Sequence, residues 1–207
     1  MTEFRINWGF VRDDAIDCII SAATQGHLNV FIDLRTNWGI TGEDARAVRE
    51  HILHMIANGD YVDILIELRT NWGFTREDTK STSILSYAAQ DGSVSVLVDL
   101  RTNWGMTRED ARANDNRALA NAAKGNHVGV LEELHLGRGL TREDARANDN
   151  RILANAAKSN HVGVLEELRL GWGLTGEDAR ADNNHALRLA ASKGHVNVLV
   201  EFRTNWD

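Results

Sequence analysis

The chain has 207 residues, 43% of them hydrophobic, with no proline, one cysteine and a formal net charge of −7. The acidic balance opposes the counterion release that dominates nucleic-acid affinity, which disfavours DNA and RNA as partners, and a lone cysteine excludes an internal disulfide. No stretch approaches the about 18 apolar residues that a membrane span needs, and MTEFRINWGF at the start has neither the basic nor the apolar region of an export signal.

In chain order, a Trp-Gly pair returns at Trp8, Trp38, Trp72, Trp104 and Trp172, with Arg138-Gly139 at the fifth place and Trp206 after the sixth. The spacings are 30, 34, 32, 34, 34 and 34 residues, and units four and five differ at only five of 34 positions. A fixed period of this size is the signature of a repeat array whose units bury their apolar faces against one another. The chain is therefore read as one domain, 1–207, with units at about 8–37, 38–71, 72–103, 104–137, 138–171 and 172–205. The two shortenings fall at Ala15–Asp17 and Thr79–Ser83, between an acidic pair and the next apolar run, as expected of a loop.

Units two to six open with a threonine (Thr41, Thr75, Thr107, Thr141, Thr175) followed by an acidic pair such as Glu109-Asp110. This pattern predicts an N-cap and a short helical turn over TREDARA, ended by Asn114, Asp115 and Asn116, which then offer caps to the next element. A first long helix, helix A, follows with Leu119, Ala122 and Ala123 at i, i+3 and i+4, repeated as Ile19, Ala22, Ala23; Leu53, Ile56, Ala57; Leu85, Ala88, Ala89; Leu153, Ala156, Ala157; and Leu187, Ala190, Ala191. Asn29, Asp63, Ser95, Gly129, Gly163 and Asn197 then mark the start of helix B. Asn37, Asn71, Asn103, Gly137 and Gly171 are expected as left-handed C-caps at its end. Each helix is near ten residues, below the roughly 12–15 needed for stability in isolation, so stacking must stabilise it.

The segment ALRLAASKGHVNVLVEF, Ala186–Phe202, resembles the second half of the ankyrin repeat, AAxxGHxxVVxxLL. Ala190, Ala191, Gly194, His195, Val198 and Leu199 match it position for position, as do Ala22, Ala23, Gly26, His27, Val30 and, conservatively, Phe31, and a degraded match recurs in all six units. The family's TPLH is missing, only Leu119 of Arg117–Ala120 agreeing with it, and the helix-like LTREDARANDN stands where its β-hairpin segment belongs. The resemblance thus implies an all-α, right-handed solenoid of stacked helix-turn-helix units, ankyrin-like, with short helical turns replacing the β-hairpin fingers. Tetratricopeptide and pentatricopeptide arrays share the period. The first needs its own Trp, Tyr, Phe and Pro pattern, and the second reads RNA, which the charge opposes.

Few side chains offer chemistry. The GH histidines (His27, His127, His161, His195) give way to Tyr61 and Ser93 in two units, which a structural role in the turn survives and a catalytic one does not. His51 and His54 lack the further Cys or His that a metal site requires, and the acidic pairs recur at one structural position and fit no EF-hand. Cys18 in its apolar run is expected to be a small buried hydrophobe. The tryptophans are read as covers for the end of helix B rather than a stacking platform, with the stem of Arg138 able to cover the same surface. No nucleophile, metal cluster or phosphate loop is visible, so no catalytic activity, metal or cofactor is expected.

Positions that vary between units without apolar constraint are free to specialise. On helix A these columns are Asp17, His51, Ser83, Arg117, Arg151, His185; Ile20, His54, Ser86, Ala120, Ala154, Arg188; and Ser21, Met55, Tyr87, Asn121, Asn155, Leu189. The resemblance points to the same face, because ankyrin domains bind partners through helix A. The first reading is a cytoplasmic protein-protein interaction scaffold contacting another protein through His51, His54, Met55, Tyr87, Arg117, Asn121, Arg151, Asn155 and Arg188. It leaves adaptor, inhibitor or host-directed effector open, the last acting in the cytosol of a host. The second reading is a structural protein that self-associates end to end, since EFRINWG (Glu3–Gly9) and EFRTNWD (Glu201–Asp207) share a repeat phase and neither end has a polar capping helix.

Overall fold

Units two to six each hang on a threonine and the aspartate three residues after it. The computed structural model describes residues 12–80 and 83–206; Trp8, Glu3–Gly9, positions 81 and 82 and Asp207 lie outside them. Within this range the chain is all helical, with no strand. The helices are α1 (Arg12–Gln25), α2 (Leu28–Thr36), α3 (Gly42–Ala47), α4 (Arg49–Gly59), α5 (Val62–Asn71), α6 (Arg76–Lys80) and α7 (Ile84–Asp91). They continue as α8 (Val94–Thr102), α9 (Arg108–Gly125), α10 (Val128–Glu132), α11 (Arg142–Lys158), α12 (Val162–Leu170), α13 (Gly176–Ser192) and α14 (Val196–Asn205). None is long and apolar enough to cross a membrane.

The acidic pair does more than complement a helix dipole. Asp44, Asp78, Asp110, Asp144 and Asp178 each accept the backbone N–H of the threonine three residues earlier at 2.7–2.9 Å. Four of them also take an arginine from the preceding unit: Arg46 on Asp78 at 3.1 Å, Arg76 on Asp110 at 2.8 Å, Arg108 on Asp144 at 3.0 Å and Arg142 on Asp178 at 2.7 Å. Arg112 and Arg146 add second ion pairs to Asp144 and Asp178, both at 2.6 Å. The short helices TREDARA are thus spliced by charge from one unit to the next.

Burial alone would raise these aspartates' pKa values. The threonine N–H bonds and the facing guanidinium groups outweigh it and hold Asp78, Asp110, Asp144 and Asp178 below the usual carboxylate range.

The Asn-Asp-Asn motif does not cap helix A as expected. In α9 and α11, Asn114–Asn116 and Asn148–Asn150 take three successive left-handed conformations, φ between 54° and 57°, and Asp182, Asn183 and Asn184 repeat this in α13. Asn and Asp visit this region at lower cost than other side chains, which accounts for the composition. Their amides bond the neighbouring unit instead: Asn116 and Asn150 donate to the backbone carbonyls of Asp144 and Asp178 at 3.3 and 3.2 Å. In unit two Val48, at φ −117° and ψ 19°, makes the corresponding break.

Helix A packs on helix A of the following unit, α1 on α4, α4 on α7, α7 on α9, α9 on α11 and α11 on α13, while α2, α5 and α8 form the start of a matching row of B helices. The Leu/Ile-Ala-Ala stripes are buried in units one to five. Fully burying one such large side chain stabilises by about 1.5–3 kcal/mol, which compensates for helices too short to persist alone. In unit six the stripe opens: Ala190 is buried, Leu187 half-buried and Ala191 exposed. Cys18, expected inside, is exposed.

Helix A rather than helix B ends in a left-handed residue. Gly26, Asp60, Gly92, Asn126, Asn160 and Gly194 have φ of 53–81°, whereas Asn37, Asn103 and Gly171 stay right-handed. After helix B the reversal falls two residues later, on the glycine following the tryptophan, at φ 64–71° for Gly39, Gly73, Gly105, Gly139 and Gly173. No atom lies within 4 Å of a Cβ built on Gly105 or Gly173, so the positive φ rather than crowding calls for glycine there. Helix B begins one residue before Asn29 and its equivalents, at Leu28, Val62, Val94, Val128, Val162 and Val196.

The residue before it ties units together. His127, His161 and His195 donate a ring N–H to the backbone carbonyls of Gln90, Ala123 and Lys158 at 2.8, 3.0 and 3.0 Å, each near the end of the preceding helix A. Ser93 bonds Ala57 in the same way.

Four of the tryptophans are interior: Trp72, Trp104, Trp172 and Trp206 are 3–4% exposed, which leaves no face for a flat ligand, while Trp38 is half-buried against the core. Arg138 fills the same slot, its side chain fully buried, donating to the Met106 and Leu97 carbonyls at 3.0 and 2.6 Å with Glu133 at 3.9 Å. Burial, opposed by Glu133, lowers its pKa to about 10, so it stays charged at neutral pH. The preceding residues Glu133–Gly137 form a π turn.

A buried cation with one distant carboxylate is a weak substitute for an apolar ring. Arg138→Trp is expected to stabilise by about 1–2 kcal/mol and raise the melting temperature by about 2–8 °C, read by calorimetry. The depressed aspartates predict that stability is present above the unfolded carboxylate pKa near 4 and drains as pH falls through the folded values, so urea midpoints should drop steeply below about pH 4. Asp144→Asn and Asp178→Asn should flatten that acid limb.

Candidate protein-binding face

The three helix A columns lie on consecutive packed helices, α4, α7, α9, α11 and α13, so residues at one position are neighbours from unit to unit. The structure divides the nine expected contacts into three kinds. His51, Arg117, Arg151 and Arg188 are exposed. The three arginines have no carboxylate within ion-pair distance among the described residues, unlike Arg46, Arg76, Arg108, Arg112, Arg142 and Arg146, each spent on the next unit.

His54, Met55 and Tyr87 form the second kind. All three are half-buried, and Met55 and Tyr87 pack against the core. The His54 and Tyr87 rings stack across two units with centroids 4.1 Å apart and planes at 26°. This gives the first half of the face an aromatic floor of fixed orientation, with His51 one turn away.

Asn121 and Asn155 are the third. Their side-chain amides donate to the Ser86 and Ala120 carbonyls at 3.0 and 3.2 Å, joining α9 to α7 and α11 to α9. They belong to the framework before they belong to a binding surface. Between them Ser86, Ala120 and Ala154 are buried and set a small-residue floor.

Two depressions open along the face. One of about 380 Å³ lies beside Ser83, Ser86, Met106 and Asn114. The other, about 350 Å³, is lined by Arg151, Ala154, Asn155, Lys158, His185 and Leu189, with Asp149 and Asp182 at its rim. His185 faces Asp182 at 4.0 Å. Comparison of columns identified His185 and Leu189 as variable but missed Lys158, because a lysine at the exposed end of a helix carries no signal that distinguishes it from a solvated one. No group of three or more His, Cys, Asp or Glu converges among the described residues. The arrangement offers guanidinium groups, an aromatic pair and shallow grooves, all of them elements of surface recognition.

The framework role of Asn155 is separable from the free guanidinium beside it. Asn155→Ala should cost about 1 kcal/mol in denaturant unfolding, while Arg151→Ala changes stability by less than about 0.5 kcal/mol. No protein-family model matches this chain, and comparison with curated proteins finds no similar one.

Proposed function

We propose that the chain is a repeat solenoid of ankyrin-like helical hairpins and serves as a protein-protein interaction scaffold, binding another protein through helix A and thereby inhibiting or recruiting it. The observation that carries this reading is the division among the arginines. Arg46, Arg76, Arg108, Arg112, Arg142 and Arg146 in the connecting segments are consumed in pairs between units, whereas Arg117, Arg151 and Arg188, on three successive A helices, are exposed and form no ion pair among the described residues. Arginine is enriched in interface hot spots because its planar fork makes several directed bonds once desolvated. The stacked His54–Tyr87 pair supplies an aromatic anchor on the same face. An overall charge of −7 makes a protein a better partner than a polyanion. A single exposed cysteine without a disulfide accords with a cytoplasmic setting.

Triple charge reversal, Arg117→Glu with Arg151→Glu and Arg188→Glu, should abolish retention of the partner in a comparative affinity capture from native lysate, quantified by mass spectrometry. Melting should shift by no more than about 2 °C, as surface changes usually stay within about 0.5 kcal/mol. A partner retained equally by parent and variant would remove helix A as the binding face.

A further inference from the structure

Helix B turns one line of side chains outward, at positions 129, 132 and 136 and their equivalents, which at i, i+3 and i+7 share a face. In four units the line ends in a threonine whose hydroxyl donates to the carbonyl four residues earlier. Thr36 bonds Ile32, Thr70 bonds Ile66 and Thr204 bonds Val200, each at 2.8 Å, and Thr102 bonds Val98 at 2.9 Å. The middle of the line is apolar there and its end polar. Units four and five invert this order. Glu132 and Glu166 take the middle, and Leu136 and Leu170 take the end, where they are 80% and 72% exposed, more than any other large apolar side chain among the described residues.

A single exposed leucine is ordinary. These two hold the same position in neighbouring units, one in the turn after α10 and one at the end of α12, and α10 packs on α12. Axes of packed helices lie about 8–10 Å apart, so the leucines form one pair at that spacing and the glutamates another. At the head of the line Gly129 and Gly163 are exposed. A Cβ on them meets only Val94 Cγ2 at 3.4 Å and Val128 Cγ2 at 3.7 Å, ordinary contacts, and the other units carry Asn29, Asp63, Ser95 and Asn197 there. Glycine therefore lowers the surface where packing does not require it. Glu132 and Glu166 are exposed and form no ion pair among the described residues, whereas Glu133 holds Arg101. Burial and the Glu132 charge, opposed by His135, lift the Glu167 carboxyl above its usual range, as expected where carboxylates gather on adjacent helices.

We propose that the outward face of the B helices in units four and five is a second protein-docking surface, and that its occupant is a cationic amphipathic helix of a partner protein. Apolar side chains seven residues apart on such a helix lie about 10.5 Å apart along one face, close to the spacing of Leu136 and Leu170. Lysines or arginines at the third and fourth positions between them then lie beside Glu132 and Glu166 and supply the charge these carboxylates lack. The low surface at Gly129 and Gly163 leaves room for the helix's further side chains. The same carboxylates repel the anionic lipid surface that exposed leucines could otherwise enter. None of these residues belongs to helix A, so this surface and the helix A face stand or fall separately.

Fluorescence anisotropy tests this with a labelled, end-capped alanine-based peptide of about 18 residues, long enough to be helical, carrying leucines seven apart with lysines between them. Micromolar binding is expected, and none up to about 1 mM overturns the proposal. Leu136→Thr with Leu170→Thr installs the residue that the other four units carry, so melting should hold while binding weakens about tenfold or more. Glu132→Gln with Glu166→Gln should weaken it by about tenfold and remove most of its salt dependence. Binding that survives the threonine pair is held by the acidic protein at large and overturns the site. A peptide with glutamates in place of the lysines should not bind, and equal binding overturns the charge requirement. Phosphatidylcholine vesicles in flotation and the chain alone in sedimentation complete the test. Leucine-dependent vesicle binding or self-association assigns the face to a membrane or to a second copy and overturns the proposal.

Discussion

The structure depends on a carboxylate that serves two units at once. Asp144 accepts the Thr141 N–H that starts its own helix and receives Arg108 and Arg112 from the unit before. Local helix initiation and long-range splicing thereby meet on one carboxylate. The geometry is short-range and directional, with burial opposing the charge and the bonds overcoming it.

This constraint sorts the rest of the side chains. Arg46, Arg76, Arg108, Arg112, Arg142 and Arg146 of the connecting helices and Arg35, Arg101 and Arg169 at the ends of B helices are engaged in junctions, as are His127, His161, His195, Asn121 and Asn155. The tryptophans seal the hairpin from inside, and Arg138 shows the tolerance of that slot: its guanidinium lies where an indole fits and bonds backbone carbonyls in its place. What remains uncommitted is therefore informative. Among the described residues Arg117, Arg151 and Arg188 on helix A form no ion pair where Arg76, Arg108, Arg112, Arg142 and Arg146 of the connecting segments do, and the proposed binding face rests on that contrast.

The helix A face combines rigidity with variation. Its small-residue floor of Ser86, Ala120 and Ala154 is buried, so the backbone under the variable positions is held by packing. The His54–Tyr87 stack presets two rings without a ligand, which limits the conformational entropy lost when a partner settles on them. Units four and five, nearly identical in sequence, present Arg117 and Arg151 as equivalent groups on adjacent helices, an arrangement suited to a partner with repeated carboxylates or carbonyls.

From the sequence alone, the period, the threonine caps, the small-residue stripe of helix A and the start of helix B could be read, because each depends on contacts within a few residues or on a 3.6-residue periodicity. The exposed arginines of helix A were readable for the same reason, through comparison of equivalent positions. The sequence did not disclose that Asn121 and Asn155 are tied to the preceding helix, that the left-handed reversal sits at the end of helix A and after the tryptophan rather than on Asn37 or Gly171, or that Cys18 is exposed. Nor did it show that each TREDAR arginine answers an aspartate some 32 to 36 residues away. Those outcomes belong to the tertiary structure, because a hydrogen bond between units requires the neighbouring helix to be in register, and no local propensity encodes which carbonyl or carboxylate that register brings within reach.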